Sequence, residues 1–393
     1  MKRSTPLSVC VVTDTFPKLS ETFILSQIEG LRQAGVAVMV MADHVADPTE
    51  ETRHLDVRQR WGPLSLIEPH VRRLPPALSD RGVTALDRVF ARRLLRFDAV
   101  IAHFGMNGVR VARTGHRTPG FPPLITLFHG FDVGMAAHDG TLGQYRPLFS
   151  HPGLLLSVNR PFRNTLIDAG APPERTRVHH LGIRPETIRF RRRDWSCPFR
   201  FLSVGRLTEK KGTEIALRAL AKIHDDPCGP DWRFDIIGDG ELREDLQALS
   251  QKLGLADRVQ FHGAQPHHAV RTAMAEADGF LLPSRTAATG DKEGIPIVLM
   301  EAMAAGLLVV STRHSGIPEL VRDGENGILA DEGDVDDLVR ALRQVFANRT
   351  TLNLLTDAAR RTVETQFSAD RQSRELVEWI EELVQNGISR ETV

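Results

Sequence analysis

LLPSRTAATGDKEGIPIVLMEAMAAGLLVVST, residues 281–312, is the stretch whose reading decides the fold. Gly279 to Leu282 reads as the end of a buried strand, and a polar loop rich in Gly, Thr and Asp follows it. Pro296 starts a helix at its first turn, and Leu307 to Thr312 is a second buried apolar strand. The product is a βαβ unit with a polar loop. Glu293 stands just before the helix and Glu301 inside it. The backbone N–H groups of Gly294, Ile295 and Ile297 lie at or near the helix N-terminus, where unpaired donors and the positive end of the dipole attract anions. Gly294 lets a ligand approach the backbone closely. A phosphate placed there would have Glu293 on one side and Glu301 on the other, each able to accept hydrogen bonds from hydroxyls. Two hydroxyl-bearing groups joined through phosphate describe a nucleotide sugar. An acidic pair alone equally suits simple complementation of the helix dipole, so the rest of the chain has to decide.

Outward from this unit, a βαβ series begins at Phe199. Strands Phe199 to Val204, Phe234 to Gly238 and Val259 to His262 alternate with helices Thr213 to His224 and Glu241 to Leu253, which predicts a doubly wound sheet. GRLTEKKG, residues 205–212, leaves the first of these strands on a short loop. It aims Arg206 and Lys211 at the carboxyl edge of the sheet, where charge-assisted hydrogen bonds to phosphate are worth ~1.5–3 kcal/mol each. A diphosphate suits two cations; a charged surface turn is the plain alternative. Gly238-Asp239-Gly240 is a fragment of a G-x-G-x-x-G fingerprint broken by Arg243, so it argues weakly for a nicotinamide dinucleotide and fits a glycine turn beneath a nucleoside.

The first half opens in the same way. Ser8 to Thr13 is a buried strand, Asp14 to Glu21 a loop, Thr22 to about Ala34 an amphipathic helix closed by Gly35, and Val36 to Ala42 the next strand. Between Asp43 and Arg96 the pattern weakens into helical and irregular pieces rich in Arg and Pro. Strands return at Asp98 to His103, Leu124 to Phe128, Leu154 to Val158 and Arg177 to Leu181. His103 and His129 both stand where a strand runs out, on the edge where ligands of open parallel sheets bind. Arg184 to Pro198 reads as a linker. Residues 1–188 are expected to form one domain and 189–369 a second, with a last helix, about 370–393 and capped by Ser368 or Asp370, packing back on the first.

The 393 residues, 41% hydrophobic and 25% charged, suit two globular domains. Net charge is zero overall, yet residues 1–190 hold 24 Lys and Arg against 17 Asp and Glu, and the remainder 26 against 33. The basic half suits an anionic partner, an anionic membrane surface included. Three cysteines without zinc or redox spacing suit a reduced cytoplasmic compartment. The apolar run after Lys2 and Arg3 is a first strand rather than a signal peptide, and no stretch approaches the ~18 apolar residues of a membrane span. G-x4-GK[ST], HExxH and G-x-S-x-G are absent from the sequence. The adjacent pairs His179-His180 and His267-His268 point apart on any regular element, and Asp334 and Asp336 read as a helix cap, so no metal and no cofactor is expected.

With GRLTEKKG at 205–212, PS at 283–284 and EGIPIVLME at 293–301 in this order and spacing, nearly the whole chain resembles the retaining GT-B glycosyltransferases of family 4 type. TDTFPKLSETFILSQI near the N-terminus and GDKEGIPIVLMEAMAAGLLVVSTRHSGIPELV are similar to the bacterial exopolysaccharide branch, colanic-acid type enzymes included. The resemblance implies an α/β architecture of two Rossmann-like domains facing across a cleft. It implies a metal-independent, retaining hexosyltransferase that moves sugar from a nucleotide-sugar donor to a glycan or polyprenyl-diphosphate-linked acceptor, with no nucleic acid involved, in the cytoplasm or on the inner membrane face. Arg206 and Lys211 would hold the donor diphosphate, Glu301 the ribose hydroxyls and Glu293 the sugar ring. Gly294 and Ile295 would offer backbone amides, Gly238 and Gly240 the nucleoside turn, and His129 would stand beside the donor sugar as a catalytic residue with Glu293, Arg206 and Lys211. Leu19-Ser20-Glu21 replaces the family's glycine-rich turn, leaving Ser20, Glu21 and His103 as acceptor-side candidates. Retention is explained in this family by front-face attack, the departing diphosphate taking the acceptor's proton, so no glycosidase-type carboxylate nucleophile is required. A nucleotide-sugar epimerase and a non-catalytic nucleotide-sugar-binding partner are the alternatives.

Overall fold

The computed structural model describes residues 6–18, 21–60, 62, 73, 76–116, 118–195, 197–226 and 230–390. Two compact units emerge, each built on one all-parallel sheet.

In the first unit, β1 (Ser8–Phe16), β2 (Ala37–Val45), β3 (Asp56–Gln59), β4 (Ala99–His103), β5 (Leu124–Phe128), β6 (Gly153–Ser157) and β7 (Thr176–Val178) pair in the order β3-β2-β1-β4-β5-β6-β7. Val9, Cys10, Val11 and Val12 of β1 are wholly buried, as expected of a parallel strand covered on both faces. Strand order reverses between β1 and β4, and the crevice beyond their carboxyl ends is where such sheets bind ligands. His103 ends β4, and His129 follows β5 immediately. Both expected histidines therefore stand at that edge.

This unit also takes in the C-terminal helix Ala369–Arg390. Leu376, Ile380 and Val384 join Ile24, Ile28 and Leu31 of helix Thr22–Gln33 in one core. The two helices approach closely because Gly30 has no side chain: a Cβ there would lie 2.0 Å from the Ser373 hydroxyl. Arg177 adds an ion pair to Glu382 at 3.2 Å and lays its guanidinium over the Trp379 ring.

The second unit runs from Leu181 to Ser368. β8 (Phe199–Val204), β9 (Trp232–Ile237), β10 (Val259–Gly263), β11 (Gly279–Leu282), β12 (Leu308–Thr312) and β13 (Ile328–Ala330) pair in the order β10-β9-β8-β11-β12-β13. Here the reversal falls between β8 and β11. The loops that leave these two strands are the ones carrying Arg206, Lys211 and Glu293, so topology delivers the sequence-predicted residues to one crevice.

Three differences from the sequence reading have local causes. β3 is a strand inside the stretch read as helical and irregular pieces, where helix Pro76–Leu94 also lies. β13 has only three residues, too short a run to be marked in the sequence. The chain passes between units at 180–181 rather than near 188, because Ile183 donates its N–H to the Phe367 carbonyl at 3.0 Å and buries its side chain in the second core.

Ile380 is fully buried, so Ile380→Ala removes a filled position from the first core. The expected loss is ~2–5 kcal/mol of that unit's stability, measured by urea unfolding.

Candidate functional site

The second unit's crevice is built by stitching two loops together. Gly212, at φ +66°, sits where a Cβ would lie 1.8 Å from the Pro283 carbonyl oxygen, so the loop after β8 rests backbone to backbone on the loop after β11. Arg285 donates its N–H to the Lys210 carbonyl and pairs with Glu209 at 2.8 Å. Glu209 also accepts the Ala288 N–H, and Lys210 pairs with Asp291 at 2.9 Å. These ties leave Lys211 Nζ 2.8 Å from Glu293 Oε1, a pair whose side chains are only 15% and 9% exposed. Burial alone pushes the Glu293 carboxyl up, but Lys211, Lys210 and His314 together outweigh it and hold the group below the usual range. Glu293 is an anion fixed against an ammonium.

His314, which follows β12 and is wholly buried, holds the same carboxylate residue by its backbone. Its Nε2 accepts the Glu293 N–H at 3.1 Å, and its Nδ1 lies 2.9 Å from Glu332. Burial raises the Glu332 carboxyl, while hydrogen bonds from His314 and the Thr286 N–H bring it below its ordinary value.

The remaining donor-side candidates divide. Arg206 is exposed. Ile295 is 4% exposed and buried in the core, which anchors the chain where helix Ile297–Ala305 begins. Gly294 lies between that anchor and Glu293. Glu301 faces a different neighbour from Glu293: its Oε1 is 3.5 Å from His267 Nε2, and burial lifts its carboxyl above the ordinary value. The two carboxylates bracket the helix in sequence and attach to separate elements in space. Gly238 and Gly240 are needed for loop contact: a Cβ would fall 1.9 Å from the Gly205 carbonyl oxygen and 2.6 Å from that of Leu207. Leu207 completes this contact by donating its N–H to the Asp239 carbonyl.

At the first unit's crevice, His103 Nδ1 and His129 Nε2 are 3.2 Å apart with the rings stacked. His103 is completely buried, and His129 is nearly so. Burial holds the His103 imidazole down to about 3, and burial together with His103 and His179 holds His129 well below the usual range. The pair is neutral and can share one hydrogen bond. Asp132 braces it, accepting the backbone N–H groups of His129 at 2.7 Å and Gly105 at 3.0 Å. Burial raises the Asp132 carboxyl to about 7 against those bonds. Phe104, strained at φ +69°, turns the chain between His103 and Gly105 and packs its ring on both His129 and the half-exposed Phe131. Glu21 precedes helix Thr22–Gln33 and pairs with Lys18 at 2.5 Å. Ser20 lies outside the described residues.

Sequence reading singled out neither Asp132, His314 nor Glu332. The first was visible as His-x-x-Asp at a helix start, a spacing that pairs a first-turn carboxylate with the preceding N–H. His314 stands just past a strand end, the cue that found His129. Glu332 follows a strand too short to be read. Among the described residues, no group of three His, Cys, Asp or Glu is placed to hold a metal ion, and no helix is long and apolar enough to cross a membrane.

Two parallel Rossmann-like sheets with ligand loops at their reversals define the GT-B glycosyltransferase architecture. The Glycosyltransferase Family 4 model matches residues 20–187, and the model for glycosyl transferases group 1 matches residues 186–362. The amylovoran biosynthesis glycosyltransferase AmsK of Erwinia amylovora is 33% identical over 405 residues, covering 94% of this chain and 98% of that one. The putative colanic acid biosynthesis glycosyltransferase WcaL of Escherichia coli K12 shows the same identity and coverage. The structure of Anabaena Alr3699/HepE in complex with UDP has a TM-score of 0.76 at 19% identity, over 96% of this chain and 100% of that one. The chain belongs to the family 4 type GT-B glycosyltransferases, in their exopolysaccharide branch, and its activity is transfer of a glycosyl group.

The neutral His103 sets an expected acid sensitivity. An imidazole held near 3 in the folded chain and titrating near its ordinary 6.5 when unfolded leaves the unfolded state with more protons between those values. Stability from this group is therefore complete above 6.5 and falls as pH drops below it. Relative to His103→Asn, which never charges, the wild-type chain is expected to lose ~1.4 kcal/mol per pH unit below 6.5, read from urea unfolding at pH 7, 6 and 5.

Proposed function

We propose that this chain is a retaining, metal-independent hexosyltransferase that takes its sugar from a nucleotide diphosphate and gives it to a glycan or polyprenyl-diphosphate-linked acceptor. The observation that carries this reading is the nearly buried Lys211–Glu293 pair at the sheet reversal, 2.8 Å apart. Breaking a sugar–diphosphate bond builds negative charge on the departing oxygen and positive charge on the anomeric carbon. Lys211 and Arg206 meet the first, with the start of helix Ile297–Ala305 beside them, and that electrostatic stabilisation is the usual large contribution to such a reaction. Glu293 takes sugar hydroxyls, and Glu301 those of the ribose. These side chains supply the positive charge without calling on a resident metal. The departing diphosphate accepts the acceptor's proton, and the incoming hydroxyl bonds to the anomeric carbon on the same face. His129, held neutral, offers a hydrogen bond rather than acting as a base. Exposed Phe131, close to it, gives an acceptor sugar an apolar ring face to lie on. The basic first half favours work at an anionic inner membrane surface.

Arg206→Ala and Lys211→Ala are each expected to lower transfer by ~10²–10³. The same variants should lose the rise in melting temperature that a panel of UDP- and GDP-sugars gives the wild-type chain. Turnover and melting shifts like wild type in both variants would remove the assigned diphosphate site. Product with an inverted anomeric centre, read by proton NMR, would remove the retaining mechanism.

A further inference from the structure

Glu332 is the point on which both ends of the loop before the helix are hung. One oxygen accepts the Thr286 N–H at 2.6 Å near the loop's start, and the other lies 2.9 Å from His314 Nδ1. The far side of the same ring accepts the Glu293 N–H at 3.1 Å at the loop's end. A backbone N–H has only a proton to offer, so Nε2 must present its lone pair and Nδ1 must carry the ring proton. A carboxylate opposite Nδ1 selects that tautomer, because it only accepts. The post is itself secured: Arg313 pairs with Asp331 at 2.9 Å and with Asp323 at 2.6 Å, and its N–H donates to the Ala330 carbonyl.

We infer that Glu332 is a positioning residue for glycosyl transfer, fixing the Nδ1–H tautomer of His314 and through it the backbone of Glu293. This rests on the assignment of Glu293 to the donor sugar made above. Neither Glu332 nor His314 needs to touch substrate. An orienting contact of this kind typically changes activity ~10–100-fold when removed.

Glu332→Gln separates this role from space-filling. The amide has one accepting head and one donating head where the carboxylate has two accepting heads. With its NH₂ toward Thr286, it can still bond the Thr286 hydroxyl but opposes the Thr286 backbone N–H. With its NH₂ toward His314, the ring must move its proton to Nε2, where it opposes the Glu293 N–H. Either orientation releases one end of the loop.

The experiment uses the full chain labelled with ¹⁵N-histidine, the His314 resonances being assigned by their loss in His314→Gln. The wild-type ring is expected to show a protonated Nδ1 and an unprotonated Nε2. Glu332→Gln is expected to lower kcat for transfer about 10–100-fold, with the donor's KM close to wild type and a cooperative thermal transition retained. A wild-type ring protonated on Nε2 would overturn the inference, as would unchanged kcat in Glu332→Gln. If that variant fails to fold, the wild-type tautomer decides the question alone. Failure of the wild-type chain to transfer sugar from any nucleotide donor would instead count against the proposed function, which leaves the tautomer measurement standing.

Discussion

A carboxylate and an ammonium 2.8 Å apart and almost out of water impose the main constraint on the second unit. Desolvating both ions costs several kcal/mol, and only close geometry with further hydrogen bonds offsets it. Lys211 and Glu293 come from loops after different strands, so their contact requires two flexible segments to be held at fixed spacing. Gly212 lets one backbone rest on the other, while Glu209 and Lys210 tie side chains across the same seam. Gly238 and Gly240 do the equivalent one layer away, keeping the segment around Gly205 and Leu207 in place. Glycines that suggest a nucleotide fingerprint are thus explained first by backbone contact between loops.

The two sheet reversals have opposite electrostatic character. At the second, Lys210 pairs with Asp291 and Lys211 with Glu293, so an anionic ligand meets cations already held in place. At the first, His103 and His129 are kept uncharged by burial, and aromatic rings of Phe23, Phe104 and Phe131 surround them. A neutral, ring-lined edge suits a sugar hydroxyl better than a phosphate. The strain in Phe104 lies at this edge, where it positions the ring between histidine and surface.

What the sequence disclosed depended on how local the physics was. The unit from Gly279 to Thr312 is legible because continuous apolar runs mark buried parallel strands and a proline marks the helix start. β3 escaped because Asp56–Gln59 is a polar, largely exposed edge strand with no buried run to betray it. The spacing of Glu293 and Glu301 is plain in the sequence, yet their separate partners, Lys211 and His267, come from remote parts of the chain that spacing does not reveal. His314 and Glu332 matter only through contacts made after β12 and β13 align, so their function belongs to tertiary structure. His103 is marked by its strand-end position, while its complete burial is not visible in a strand's last residue.

An ion pair already formed in the ligand-free protein does not stop Lys211 from serving a diphosphate. An ammonium carries three donors on one rotating head, and one contact with Glu293 leaves others to direct elsewhere. In the proposed reaction, keeping that contact would give a single cation a hold on both the carboxylate beside the sugar and the departing phosphate. Arg206, exposed and on the same loop, can also draw an anion toward the crevice before it meets the departing oxygen, since exposed cations act over roughly a Debye length of ~8–10 Å. In the proposed reaction Arg206 and Lys211 are therefore unequal: the first would meet the anion in water, and the second would couple its phosphate end to its sugar end where water is scarce.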